Sequence, residues 1–346
     1  MQTVKKIYFV ANARMPSEKA NGIHIAKMCE AFMQNGHNVT LVVPSRASGA
    51  SLQEFYGLRV DVPVRRLPSV VLREYERLGF VVMGVSFMIS TLIFLWSKKL
   101  QGERFVIYTA DIDSFSHTLL PLAGKVVAEM HSPKGSTILA RFFFRRSKII
   151  TTNPLIAAEI KKIFGIESLV EPNGVDEAFF GLEGSGGGAL YVGRFYKWKG
   201  LEVLAQTGVP IHMLGGTKAE FERVFGKAGS LQFCEVQPHE VPHAMAAADV
   251  LLLIGTAKNE GSNRYTAPMK VFEYLATGKP IVASATEALQ SIVPATLVRY
   301  CPPDDPQALA RAISGALAAP GEGEARMAFA REHTWRKRAE RIAVLL

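Results

Sequence analysis

The chain has 346 residues, 48% hydrophobic and 21% charged, which excludes a disordered or fibrous protein and exceeds what one hydrophobic core ordinarily fills. Its three cysteines, Cys29, Cys234 and Cys301, are far apart, which excludes a disulfide framework and a cysteine zinc site and fits a reducing compartment. The net charge of +9 belongs to the first half: residues 1–168 carry +10 and residues 169–346 carry −1. A basic half attracts anionic partners such as acidic lipid headgroups or phosphorylated carriers. No zinc-finger or aromatic RNA-binding pattern accompanies it, so nucleic acid is not an expected partner. No leader pattern is legible before the first strand, and a cytoplasmic location is expected.

The pattern from residue 7 predicts a short apolar strand at Ile7 to Val10, a loop to Asn21, a helix opening at Gly22, and a buried strand at Val39 to Val43. This strand–loop–helix–strand order belongs to a doubly wound parallel sheet, here without a Gly-x-Gly-x-x-Gly fingerprint. Residues 78–97 contain no charge and are bracketed by Arg77 and by Lys98 and Lys99. By length they could span a bilayer. Strands on either side must share one sheet, however, so a buried helix, or one dipping into a membrane interface, is expected; Arg73, Arg77, Lys98 and Lys99 favour the second. Strands are predicted from Phe105, ending at Asp111 and Asp113, and from Val126, ending at Glu129 and His131. Two aspartates without a third ligand are a weak metal signal, and Asp113 or Ser114 reads as a helix N-cap. A strand at Ile149, a helix over 154–164 and the turn Pro172-Asn173-Gly174 follow, with the hinge placed there.

In the second half, strands are predicted at Leu190, Ile211, Leu231, Val250, Ile281 and Leu297, with helices between them. The first ends at Gly193, where the backbone permits close approach, and Arg194 and Lys199 follow in the loop. Two fixed cations there suit a diphosphate, whose developing charge they would stabilise. His239 and His243 lie four apart, but Pro238 and Pro242 and the lack of an intervening Glu argue against a zinc helix. Residues 265–284 read as loop, helix, turn and strand. Pro268 sits near a helix start, Phe272 and Leu275 face a core, and Gly278 and Pro280 end the helix. The helix tip at residues 266–269 suits phosphate oxygens, and Glu273 suits the two hydroxyls of a ribose.

Taken together, Glu273 with Gly278-Lys279-Pro280, Gly193-Arg194 with Lys199-Gly200, Asn173-Gly174-Val175-Asp176 and the opening around Asn21, Gly22 and His24 resemble the retaining glycosyltransferase family 4, of GT-B fold. The resemblance runs nearly end to end and is weakest over residues 45–105. It implies two Rossmann-like domains facing across a cleft, residues 1–170 and 171–324, with the C-terminal segment 325–346, helical from Glu332 through Leu346, packing back on the first. It implies a hexosyltransferase of class EC 2.4, using a UDP- or GDP-linked sugar and no cofactor or metal. Donor-side residues would be Gly193, Arg194, Lys199, Tyr265, Thr266, Ala267, Pro268, Met269, Lys270 and Glu273. His131 would contact the transferred sugar, with Arg194 and Lys199 acting on the leaving group. Asn21, Gly22 and His24 would border the acceptor, a glycan, polysaccharide or lipid-linked molecule, and the enzyme could sit peripherally on the inner face of a membrane. The family pattern has two glutamates. Tyr265 occupies the place of the first, and Glu260 could supply it only through extra loop residues. A non-catalytic nucleotide-sugar binder and a GT-B epimerase are the alternatives.

Overall fold

The computed structural model describes residues 4–45, 51–71, 76–113 and 115–346; Ser114 and Arg73 lie outside them, as does the side chain of Arg77. The chain forms two compact units. Unit 1 comprises Met1–Thr152, Ile156–Glu171 and Trp335–Leu346, and unit 2 comprises Asn153–Leu155 and Pro172–Thr334. The returning segment is shorter than the sequence implied. The helix Gly323–Arg331 belongs to unit 2, and only the helix Trp335–Ile342 with the turn after it belongs to unit 1.

Unit 1 carries a seven-stranded sheet of β1 (Lys6–Val10), β2 (Asn38–Pro44), β3 (Val64–Leu67), β4 (Val106–Ala110), β5 (Val126–Met130), β6 (Ser147–Thr151) and β7 (Leu169–Val170), in the order β3-β2-β1-β4-β5-β6-β7. Every pairing is parallel. The order reverses between β1 and β4, which creates a switch point at the strands' C-terminal ends. β1, β4 and β5 are buried almost throughout, as continuous apolar runs covered on both faces require. β3 and β7, in or beside regions of weak pattern, were not predicted. The helix Ala20–Gln34 begins two residues before Gly22 and buries Cys29. The long helix spans Glu76–Leu100.

Unit 2 repeats the plan with β8 (Ala189–Val192), β9 (Ile211–Leu214), β10 (Leu231–Cys234), β11 (Val250–Leu253), β12 (Ile281–Ser284) and β13 (Arg299–Cys301), in the order β10-β9-β8-β11-β12-β13. The strand predicted at Leu297 starts two residues later. Side-chain alternation divides the core between the two faces. Leu190, Val192, Leu251, Leu253, Ile281 and Ala283 lie on one face, and Ala189, Tyr191, Val250, Leu252 and Val282 on the other. The switch point falls between β8 and β11.

The helix expected to open at Pro268 starts at Lys270 and runs to Ala276. A single π turn, Gly261–Tyr265, precedes it, so residues 266–269 form an extended approach instead of the first helical turn. Asp113 caps a turn, accepting from the N–H groups of Phe115 and Ser116 at 2.8 and 2.7 Å. The last helix begins at Trp335, not at Glu332.

Candidate functional site

In unit 2 the switch point holds a pocket. Tyr191 and Val192 of β8 and Leu252 and Leu253 of β11 form its floor, and Lys199, Lys270, Thr266 and Pro268 form its rim. The end of β8 is shaped by backbone. Gly193 has φ +152°, its N–H donates to Leu214 O at 2.8 Å, and a Cβ there would lie 3.0 Å from Tyr191 Oη and 3.2 Å from Lys199 Nζ. A tight turn, Lys197–Lys199, then ends at Gly200, whose φ is +69°. A Cβ on Gly200 would approach Thr256 Cβ to 2.6 Å, so only glycine fits.

Lys199 is the chemically distinctive residue. Its Nζ donates to Arg194 O at 3.1 Å and Tyr191 Oη at 3.2 Å, and lies over the rings of Tyr191, Tyr196 and Trp198 at 5.5 to 5.9 Å. Among the described residues it has no carboxylate partner. Burial, reinforced by the neighbouring Lys270 charge, pushes its pKa down to about 8. Of the two ammonium groups turned toward this pocket, Lys199 has no anionic partner among the described residues, and a bound anion would relieve both its burial and its repulsion from Lys270. Lys270 meets Glu273 Oε2 at 2.6 Å, which places that carboxylate, mostly buried, beside the same rim. Arg194 is exposed and does not line the pocket.

The approach to this helix is tied down polar group by polar group. Thr266 Oγ1 donates to Gly261 O at 2.8 Å, and Asn173 Nδ2 donates to Ala267 O at 2.6 Å. Met269 O accepts from the N–H groups of Phe272 and Glu273. Tyr265 Oη donates to Glu260 Oε1 at 3.1 Å. The π turn thus brings the Glu260 carboxylate to the Tyr265 hydroxyl. Ser262, Gly255 and Thr286 also line the pocket and were not foreseen. The only local signals were glycine after an apolar strand and a threonine helix cap.

Unit 1 has its own polar centre at the ends of β4 and β5. Glu129 is fully buried and accepts from Tyr108 Oη at 2.6 Å and from Arg338 Nη2 at 2.6 Å and Nη1 at 3.1 Å. His131 Nε2 lies 2.8 Å from Glu129 Oε1, and its Nδ1 lies 3.4 Å from Asp111 Oδ2. Burial opposes ionisation of Glu129, yet the Arg338 guanidinium, with His24 and His131 beside it, holds the carboxyl well below the usual range. Burial also opposes protonation of His131, but Asp111 and then Glu129 outweigh it and raise its pKa. Asp111 adopts a left-handed φ of +51°, uncommon for a non-glycine residue, and its carboxylate accepts the His131 N–H at 3.2 Å.

His24 does not sit at an open face as expected. It is 2% exposed, 2.8 Å from Glu129 Oε1, and edge-on to His131 and Trp335 at 4.7 and 5.4 Å. Burial lowers its pKa below the ordinary histidine value despite Glu129. Asn21 is exposed, whereas Gly22 is buried with Tyr56 Oη 2.5 Å from where a Cβ would stand. His24, Glu129 and His131 bring ligand atoms within 4.8 Å of one another. The single carboxylate is already neutralised by a guanidinium, which a dication would have to face, so the donor set is a polar hub and fits a metal poorly. The hub's organisers, Glu129 and Arg338, were not among the predicted site residues.

Two Rossmann-like units, each with a polar site near the C-terminal ends of its strands, have the GT-B class of α/β fold, which solved glycosyltransferase structures share at low identity. A glycosyltransferase from Rickettsia africae superposes with a TM-score of 0.69 at 12% identity, covering 99% of this chain and 98% of that one. Alr3699/HepE from Anabaena in complex with UDP-glucose gives 0.69 at 15%, covering 98% of each chain. The lipopolysaccharide outer core galactosyltransferase WaaB gives 0.68 at 15%, covering 98% and 99%. Residues 187–319, the greater part of unit 2, match the family described as glycosyl transferases group 1. No curated protein matches the chain at the level of sequence.

Proposed function

We propose that the protein is a retaining glycosyltransferase of family 4 type that moves a hexose from a UDP- or GDP-linked donor to a glycan or lipid-linked acceptor. The observation that carries this reading is the pair Lys199 and Lys270, two cations converging on a switch-point pocket without enough negative charge to satisfy them. A nucleoside diphosphate supplies that charge. Glu273, held by Lys270, is offered to the ribose. The bond between the anomeric carbon and the diphosphate oxygen breaks, the bond to the acceptor oxygen forms on the same face, and the departing diphosphate takes the acceptor's proton. Lys199 and Lys270 stabilise the charge on the leaving group, with Arg194 entering once the donor is bound. No metal is needed where two ammonium groups already serve that purpose.

The acceptor is assigned to unit 1, whose basic sequence suits a phosphorylated carrier, and His131 to the transferred sugar. Both ring nitrogens of His131 already lie near carboxylates, so its protonated ring and Asp111 would meet the sugar together. The contact between Glu260 and Tyr265 favours a working enzyme over a non-catalytic binder, because it restores a carboxylate beside the tyrosine. A cytoplasmic site of action follows from the need for activated nucleotide sugars.

Calorimetric binding of UDP, GDP and ADP tests the reading, with UDP first because the Anabaena neighbour was solved with UDP-glucose. One nucleotide should bind, and Lys199→Ala and Glu273→Ala should each weaken it by about tenfold or more, as expected for a charge-assisted contact. A folded wild-type protein that binds none of the three would overturn the proposal.

A further inference from the structure

The long helix of unit 1 serves no part of either polar site, yet it is the most apolar segment of the chain. Residues 78–100 are long and apolar enough to cross a bilayer, with 33% of the most apolar window buried. One side is buried: Gly84, Phe87, Met88, Thr91 and Leu95 recur at helical spacing there. A Cβ on Gly84 would lie 2.8 Å from Phe115 Cβ, and the Phe94 ring stands edge-on to Tyr8 of β1 at 5.2 Å. That side is therefore packed on the body of the unit, and a helix so attached cannot be surrounded by lipid.

The other side is open and apolar. Positions 78, 82, 85, 89, 93, 96 and 100 are spaced by three or four residues and are all Leu, Val, Ile or Trp. Leu78, Ile89, Trp96 and, most of all, Ile93 and Leu100, at 66% and 84%, are exposed. Val70, also exposed, lies beside this helix, its N–H donating to Ser86 Oγ at 2.9 Å. At about 1.5 Å per residue the stripe is roughly 33 Å long, far more than the scattered apolar residues of an ordinary surface. Its end is basic: Lys98 and Lys99 close the helix, and Lys99 Nζ lies 4.8 Å over the Trp96 ring. No acidic residue occurs from 78 to 102.

We propose that this stripe lies flat on an anionic bilayer, with Ile89, Ile93, Trp96 and Leu100 in the acyl boundary and Lys99, exposed beside Trp96, among the headgroup phosphates. A transmembrane span is excluded by the packed face. A second copy of the chain is disfavoured by charge, because two halves of +10 each repel, whereas an anionic leaflet attracts both. An apolar stripe flanked by lysines and a tryptophan is the signature of an in-plane interfacial helix. The inference is independent of the proposed transfer reaction, although it would bring unit 1 to a lipid-linked acceptor.

The test is co-sedimentation of the full chain, without nucleotide, with phosphatidylcholine vesicles that carry or lack phosphatidylglycerol. Wild type should pellet with the anionic vesicles, less so as salt rises. The Ile89→Asp, Ile93→Asp double variant should lose at least about tenfold in affinity, since each isoleucine withdrawn from water is a large part of the binding. Lys99→Glu should weaken the preference for phosphatidylglycerol. Ile89, Ile93 and Lys99 are exposed, so melting temperature should be unchanged. Failure of wild type to pellet, binding indifferent to the double variant, or a dimer in light scattering that the double variant dissolves without any vesicle binding would each overturn the proposal. Vesicle binding by a chain that binds no nucleotide would leave it standing and remove the donor-site reading instead.

Discussion

Replacing Arg338 by Met probes how the buried charges of unit 1 are held. Arg338 and Glu129 are both 0% exposed, and the guanidinium contacts both carboxylate oxygens as well as Glu171 O at 3.2 Å. The variant leaves Glu129 with the Tyr108 hydroxyl and the histidines but without its principal counter-charge. Removal of one partner of such a pair costs about 3–5 kcal/mol, because an uncompensated charge stays buried; an exposed pair would cost below about 1 kcal/mol. The sign of the pH dependence is separately diagnostic. The folded-state pKa of Glu129 is depressed in wild type, so its stabilisation is present above the unfolded carboxyl pKa and is lost as pH falls through the folded value. Without Arg338, burial dominates and raises that pKa. The deficit of Arg338→Met should therefore be largest at about pH 7 and shrink by about pH 5 as Glu129 takes up a proton. Urea unfolding can be followed by Trp335, which borders His24, in a Trp96→Phe, Trp198→Phe background, both of those tryptophans being exposed. A deficit below about 1 kcal/mol, or one that does not change with pH, would refute this account of the hub.

Three further outcomes are expected. Because Lys199 titrates at about 8 when no anion is bound, nucleotide affinity should fall as pH rises through that value, with proton uptake on binding. Calorimetry in two buffers measures both, and Lys199→Ala should abolish the dependence. Gly200→Ala forces a Cβ against Thr256 at a left-handed φ and should cost about 1–3 kcal/mol in thermal unfolding; an unchanged melting point would mean the turn is not held as described. Asp111→Asn removes the first charge that raises His131, so the His131 pKa read by NMR should drop. In wild type the raised value contributes stability that is complete below the unfolded histidine pKa and disappears as pH rises through the folded one.

What could be read from the sequence depended on the range over which each feature is encoded. The alternation of strands and helices, the two-unit plan and the strand ends at Gly193 and His131 are local apolar patterns, and they were legible. β3 and β7 were not, being short and only partly buried. The start of the helix at Lys270 was misplaced because Pro268 suits a first turn equally well. A π turn over 261–265 leaves no periodic trace in so few residues, although it explains how Glu260 reaches Tyr265. Lys199 was recognisable as a basic residue after a strand, but its dependence on Lys270, and the retreat of Arg194 to the surface, are tertiary facts.

The hub in unit 1 is the clearest case of information that no window contains. Glu129 looks like a strand-end acid, and Arg338 like one cation in a basic C-terminal helix whose strong amphipathicity would pass for a solvated surface. They are 209 residues apart, and only the return of the chain at Trp335 brings them together. That return is fixed twice: by Arg338 on Glu129, and by Arg341 on Glu171, a contact at 2.6 Å whose arginine is partly exposed. The second pair contributes little by itself in solvent. It does, however, anchor the helix that brings Arg338 to Glu129 and Trp335 to His24. The same geometry makes the C-terminal segment a positioning element for His131, since the guanidinium that neutralises Glu129 leaves the second charge on the imidazole to Asp111. Shortening the chain before Trp335 should thus disturb the His131 titration before any substrate is present, and it would do so through Glu129 and not through contact with the sugar.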